Sequence, residues 1–189
     1  EEKDAAKVDR GRPGDPVLTI DWGFGATVPA RRCVPVRVSL TGGIDAFTGV
    51  VVFRYRGDST QAMAVTVPVA ATPGKVSVYT PVIAFPAAGE KIEVVLTERS
   101  GKVVRRYWYA QGAGDTEIEL PSVRVDADPL VVAIGPANSG AVSAMVLRST
   151  AIPGLVNPAQ PLALDTVTAD AATLPTLAWG YDGVSAVVV

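Results

Sequence analysis

Lys91-Ile92-Glu93-Val94-Val95-Leu96-Thr97-Glu98, Arg99-Ser100-Gly101, Lys102-Val103-Val104-Arg105-Arg106-Tyr107-Trp108-Tyr109 is the stretch that decides the fold. Its first run alternates, with Ile92, Val94 and Leu96 on one side and Lys91, Glu93, Val95 and Thr97 on the other, which is the period of a strand with one face turned inward. Ser100-Gly101 turns the chain tightly into a second β-forming run, so the two runs predict an antiparallel hairpin.

Upstream the same grammar repeats. Val17 to Trp22 reads as a strand, and Val34, Val36, Val38 and Leu40 alternate with Pro35, Arg37 and Ser39 before the turn Thr41-Gly42-Gly43. Gly49 to Arg56 sets Val51, Phe53 and Tyr55 opposite Val52, Arg54 and Arg56. After Gly57-Asp58, Ala62 to Val67 places Met63, Val65 and Val67 together, with Pro68, Pro73 and Gly74 ending the run. Lys75 to Phe85 reads as one long strand in which Val76, Val78, Thr80 and Val82 share a face; Pro81 implies an edge or a bulge. Seven strands spaced by turns predict two antiparallel sheets packed face to face, an immunoglobulin-like β-sandwich over residues 17–110. The cysteine and tryptophan pattern of antibody domains is absent.

The flanks read differently. Residues 1–16 are dense in charge and broken by Gly11, Pro13, Gly14 and Pro16, which predicts a flexible leader. Its opening, Glu1-Glu2-Lys3-Asp4, lacks the apolar core of a signal peptide, so any such peptide is expected to have been removed already. Residues 111–128 read as a linker: a flexible joint at Gln111 to Asp115, then an extended crossing segment from Thr116 to Val125.

From Pro129 the chain predicts a partial α/β segment, residues 129–189. Leu130 to Ile134 is apolar on both faces. Ala141, Val142, Met145 and Val146 recur at helical spacing behind an Asn138 or Ser139 cap, Leu162 to Val167 resumes as a strand, and Val184 to Val189 is a last one. An apolar strand in last position would leave a sheet face uncovered, so the natural chain is expected to continue.

Composition excludes several functions. There is no histidine and a single cysteine, Cys33, so histidine-based triads, histidine-ligated zinc and an internal disulfide are ruled out. Cys33 reads as a small hydrophobe in a strand. A net charge of -2 supplies no basic field for nucleic acid. No run of 18 apolar residues spans a bilayer, and no catalytic residue, cofactor or metal is expected within these residues.

The stretch from Val17 to Gln111, followed by Asp128-Pro129-Leu130-Val131-Val132-Ala133-Ile134-Gly135 and by Leu174-Pro175 to Trp179-Gly180-Tyr181-Asp182-Gly183-Val184-Ser185-Ala186-Val187-Val188-Val189, resembles the exported region of certain bacterial membrane-anchored proteins. In these an immunoglobulin-like sandwich precedes a degenerate domain related to class I glutamine amidotransferases. The resemblance implies an extracytoplasmic location (periplasm or cell envelope) and a chain cut before the nucleophile-bearing part of the fold.

Candidate contacts are few. Tyr107, Trp108 and Tyr109, with Trp22 nearby, would form an aromatic platform for sugar rings if exposed, but alternation sends Trp108 to the opposite face from the two tyrosines and makes one set core. Arg54, Arg56, Arg105 and Arg106 read as strand-surface charges or, together, as a contact patch for an acidic protein partner. Asp126 and Asp128, with Glu117 and Glu119, offer oxygens to calcium but no loop that gathers them. Gly135 to Gly140 has the spacing of a phosphate loop, yet Ala141-Val142 stands where Lys and Ser or Thr are needed, so it reads as a turn between strand and helix. The expected function is a non-catalytic interaction or scaffold module whose partner is its own downstream domain or another subunit. The alternatives are a carbohydrate-binding sandwich and the non-catalytic N-terminal part of an amidotransferase-like enzyme.

Overall fold

A computed structural model of the chain describes residues 11–24, 27–29, 33–56, 63–84, 91–114, 117–120, 122–124, 130–134, 165–169, 174–175 and 184–188. Among these the protein is mainly β, with no helix. The helix expected at Ala141 to Val146, the turn at Gly135 to Gly140 and the residues Asp126, Asp128, Trp179 and Tyr181 lie outside the described residues.

The first sheet is built on β1 (Val17–Trp22) and β3 (Cys33–Thr41), paired antiparallel from Val17↔Thr41 to Trp22↔Val36. Leu18, Ile20 and Trp22 alternate inward on β1, and Val34, Val36, Val38 and Leu40 do so on β3 as their spacing dictates. The far side of β3 takes two short strands, β6 (Val76–Tyr79) and β7 (Val82–Ala84), in place of one long one. The break falls at Thr80-Pro81. Proline has no amide to give the ladder, and its carbonyl instead accepts from the Val36 amide at 2.8 Å. Val76 and Val78 do share a face, but it is the outer one, and Tyr79 packs inward instead.

The second sheet has the order β10-β9-β8-β4-β5. Its hairpin is the one read from Lys91 onward: β8 (Lys91–Glu98) and β9 (Val103–Ala110) pair antiparallel. On its other side β8 pairs with β4 (Phe47–Arg56), and β4 with β5 (Ala64–Ala71). β5 runs through Pro68 to Ala71 because it is an edge strand and Pro68 needs no second partner. Its inward residues are Val65, Val67, Val69 and Ala71, while Met63 stays exposed. One hydrophobic core joins the two antiparallel sheets, with Phe53 at its centre and Trp22 edge-on to Phe53, ring centroids 5.9 Å apart.

Three short strands complete the pairing, two of them inside the segment read as an extended crossing from Thr116 to Val125. β2 (Thr27–Pro29) pairs parallel with β11 (Ser122–Arg124), and β10 (Ile118–Glu119) pairs parallel with β9. The last sheet is parallel, in the order β13-β12-β14, with β12 (Leu130–Ile134) between β13 (Asp165–Ala169) and β14 (Val184–Val188). Val132 at its centre is fully buried.

Residues 11–16, read from sequence as part of a flexible leader, hold a defined turn. The Asp15 carboxylate accepts from the Arg12 amide, and the buried guanidinium of Arg105 donates to the carbonyls of Pro16 (2.6 Å) and Asp15 (3.3 Å). Arg105 is therefore not a surface charge. It sits opposite Leu96 on the inner face, just past the bulge at Val104, and the turn supplies acceptors to a cation that is 8% exposed.

One glycine marks a close approach between strands. A Cβ on Gly49 of β4 would run into the carbonyl oxygen of Thr97 and stand 2.8 Å from the Phe47 ring. Gly49→Ala is expected to lower the unfolding free energy by about 1–3 kcal/mol through overpacking. The check is a urea titration, with the midpoint falling and the slope unchanged.

Candidate functional site

The candidate residues come from β4 and β9, and the register across β8 decides which of them meet. Arg54, Glu93 and Trp108 lie in one cross-strand row, and Val52, Val95 and Arg106 in the next, all on the outer face of the second sheet. Tyr107 and Tyr109 oppose Val94 and Ile92 on the inner face. Arg54, Arg106 and Trp108 are thus brought together, and the two tyrosines are separated from them. Arg56 pairs with Lys91 in the ladder, at a position that alternates with Tyr55; its side chain lies outside the described residues.

At the centre of this face is Glu93, which alternation placed outward in solvent. Its side chain is 1% exposed, and each carboxylate oxygen lies 3.4 Å from an arginine: Oε2 from Nη1 of Arg54, and Oε1 from Nε of Arg106. The two arginine side chains keep 48% and 43% of their surface. They approach Glu93 from the strands on either side of β8, and Val95, in the row of Arg106, is 1% exposed. The result is a carboxylate beneath two guanidinium groups, with the positive charge outermost. Of the arginines read as a patch, Arg54 and Arg106 share this face, with Glu93 set between them, and Arg105 does not.

The aromatic platform is not offered to solvent. Trp108 is 7% and Tyr109 6% exposed, and Tyr107 is partly buried against the core. Trp22 does lie near, its ring centroid 5.2 Å from that of Tyr109, but as a core contact. Burial pushes the Tyr109 hydroxyl well above its ordinary ionisation range, with Tyr107 and Asp21 adding to the effect; burial does the same at Tyr55, with Cys33 adding. Cys33 is half-buried at the start of β3, opposite Ala84.

Glu117 and Glu119, the described half of the calcium proposition, are engaged within the chain. Glu117 pairs with Lys91 and accepts from the Gly114 amide at 3.4 Å, while Glu119 accepts from the amides of Gly112 (2.9 Å) and Ala113 (2.7 Å). The Lys91 hydrogen bond holds the Glu117 carboxyl below its ordinary range, with the Gly114 amide adding, and the Ala113 and Gly112 amides do the same for Glu119. Among the described residues no group of three His, Cys, Asp or Glu could hold a metal. A shallow groove at one end of the sheets, lined by Asp15, Asp45, Phe47, Glu98, Arg99 and Ser100, mixes charges of both signs.

Sequence reasoning did not single out Phe24. It follows β1, is 5% exposed, and packs with Val132 of β12, Leu174 and Val184 rather than with the antiparallel core. The only signal for it is a phenylalanine between two glycines, Gly23 and Gly25, where a loop would ordinarily be polar.

No family model matches the chain, and no curated protein matches it. Among solved structures it is similar to Spo0M, a sporulation control protein from Bacillus subtilis, at 11% identity and a TM-score of 0.42 over 60% of this chain and 51% of that one. It is also similar to a Paenibacillus cycloisomaltooligosaccharide glucanotransferase complexed with cycloisomaltoheptaose, at 14% identity and a TM-score of 0.28 over 70% of this chain and 18% of that one. The chain spans about half the length of the first and under a fifth of the second.

Replacing both arginines, Arg54→Met with Arg106→Met, is expected to strand Glu93 and lower stability by about 2–3 kcal/mol, less than for a fully buried triad because the arginines are half in water. Adding Glu93→Leu should recover most of the loss. Chemical denaturation of the double and triple variants measures both.

Proposed function

We propose that this chain is a non-catalytic interaction and scaffold module acting outside the cytoplasm, in which an immunoglobulin-like sandwich sets the position of an α/β unit and meets a protein partner. The strand order supports the sandwich reading. β1, β3 and β6 with β7 form one sheet and β9, β8, β4 and β5 the other; the chain crosses between them from β3 to β4, from β5 to β6 and from β7 to β8, and β4 pairs with the distant β8, as in an immunoglobulin-like Greek key. The parallel pairing of β12 with β13 and β14 supports the α/β reading. The extracytoplasmic setting rests on the resemblance of the sequence to exported, membrane-anchored proteins.

The observation that carries the scaffold role is Phe24. A side chain from the loop after β1 is buried among residues of the parallel sheet, and three residues later β2 begins its pairing with β11. One loop thus supplies both an apolar anchor and a backbone ladder to the chain that leads into the second unit. A rigid spacer needs such paired contacts, since a single linker would leave the units free to rotate. The partner-facing surface of this reading is the arginine face over Glu93.

Phe24→Ala tests it. Emptying this site is expected to cost the parallel sheet about 3 kcal/mol of local stability, the lower end for a buried phenylalanine. Amide exchange should rise in β12 and stay unchanged at Val94 and Leu96 of β8. Unchanged exchange in β12 would remove the scaffold role from Phe24.

A further inference from the structure

The segment after β9 was read from sequence as a flexible joint, and it is built as a closed loop. Gly112 takes a positive φ of 64°, which turns successive amides to one side. The amides of Gly112, Ala113 and Gly114 all donate to carboxylates that arrive later in the chain: the first two to the two oxygens of Glu119, the third to Glu117. Glu117 reaches over to Lys91 of β8, its amide donates back to the Gly114 carbonyl at 3.1 Å, and the Leu120 amide donates to the Ala110 carbonyl at 2.9 Å. Backbone nests of this kind bind anions, and here the anions are side chains of the same loop.

What the loop holds in place is β10. This strand has two residues, Ile118 and Glu119, paired with Tyr109 and Ala110, and both are exposed. Two ladder positions and no buried side chain do not fix a strand by themselves. The neighbouring anchor is Leu120, 4% exposed and part of the main core. Two residues beyond it β11 begins, the strand that ladders with β2. The path from the antiparallel core to the parallel sheet therefore runs through a strand whose position depends on two carboxylates.

We propose that residues 111–114 and 117–120 form a carboxylate-latched strap: Glu119 and Glu117, by holding the amides of Gly112 to Gly114 and the ammonium of Lys91, keep β10 on the edge of β9. Opening the latch frees Gly112 to Gly114 and β10 while the core, Leu120 included, stays folded. This deepens the scaffold reading and rests on it for the role of the second unit. The charged group acting on Glu117 is Lys91 from β8, and on Glu119 the amides of Ala113 and Gly112 act, so both carboxylates are favoured in their ionised form. The sign follows. Groups whose ionisation range is lowered in the folded state stabilise it above their ordinary range and lose that contribution as the pH falls through the lowered one. The latch is closed at neutral pH and released by acid.

The test is amide exchange on the full chain, comparing the parent protein with Glu119→Ala, Glu119→Gln and Glu117→Gln. Glu119→Ala should raise exchange at Gly112, Ala113 and the β10 pairing amides by roughly tenfold, with Val94 and Leu96 in β8 unchanged, as expected of a local opening. Glu119→Gln keeps one acceptor oxygen and loses the charge, so it should fall between the two. The parent protein, corrected for the intrinsic pH dependence of exchange, should approach the Glu119→Ala pattern in acid, and the Glu119→Ala variant should respond less. Protection of Gly112 and Ala113 that survives Glu119→Ala would overturn the latch; so would equal loss of protection in β8, which would make these residues part of the global fold. Phe24→Ala separates this from the scaffold reading, because it should loosen β12 and leave the Gly112 and Ala113 amides protected.

Discussion

Strand β8 is buried on both faces, and much else follows from that. Its inner residues Ile92, Val94 and Leu96 fill the core between the antiparallel sheets, and its outer residues Glu93 and Val95 are shielded nearly as completely. A strand in that position has no solvent side, so its one charged outward residue between Lys91 and Glu98 must be matched by its neighbours in the sheet. Arg54 on β4 and Arg106 on β9 do so from opposite sides, which ties three adjacent strands through side chains as well as backbone. The pairing also constrains register. A slip of one residue between β8 and either neighbour would bring an arginine to the core and take the carboxylate away from it.

How much of this was legible in the sequence depended on range. β1 and β8 were readable to their ends, and the inward face of β3 residue by residue, because alternation and turn residues are local signals. The division of Lys75 to Phe85 into two strands was half legible: Pro81 announced an interruption, but the alternation could not say which face was inside. Arg105 was misread for a related reason. Alternation puts it with Tyr107 and Tyr109, and what makes an inward arginine tolerable is a pair of carbonyl groups 89 and 90 residues away. The short parallel strands β2, β10 and β11 carry too few residues to show any period.

The candidate site shows the same division. That Trp108 and the two tyrosines face opposite ways was readable from alternation, but alternation cannot show that Trp108 is buried on its own side. The two arginines were legible as outward cations, whereas the carboxylate between them required knowing that β8 is flanked by both β4 and β9. Glu117 and Glu119 were noticed for their charge and weighed as calcium ligands without a loop to gather them; their partners are amides three to seven residues back in the chain and a lysine on β8.

The contact between Arg105 and the turn at Asp15-Pro16 also bears on the order of events when the chain is made. A ribosome delivers residues 11–16 long before it delivers β9, so this turn has nothing to close on until the hairpin has emerged and paired with β4. Phe24 waits longer still, for Val132, Leu174 and Val184. Both segments precede their partners in sequence and can close only once those partners have been made. The loops they close span much of the chain, which weighs on the rate of folding far more than on final stability. In the interval an arginine and a phenylalanine that end up covered are both exposed, and the nascent chain is most open to wrong partners at that stage.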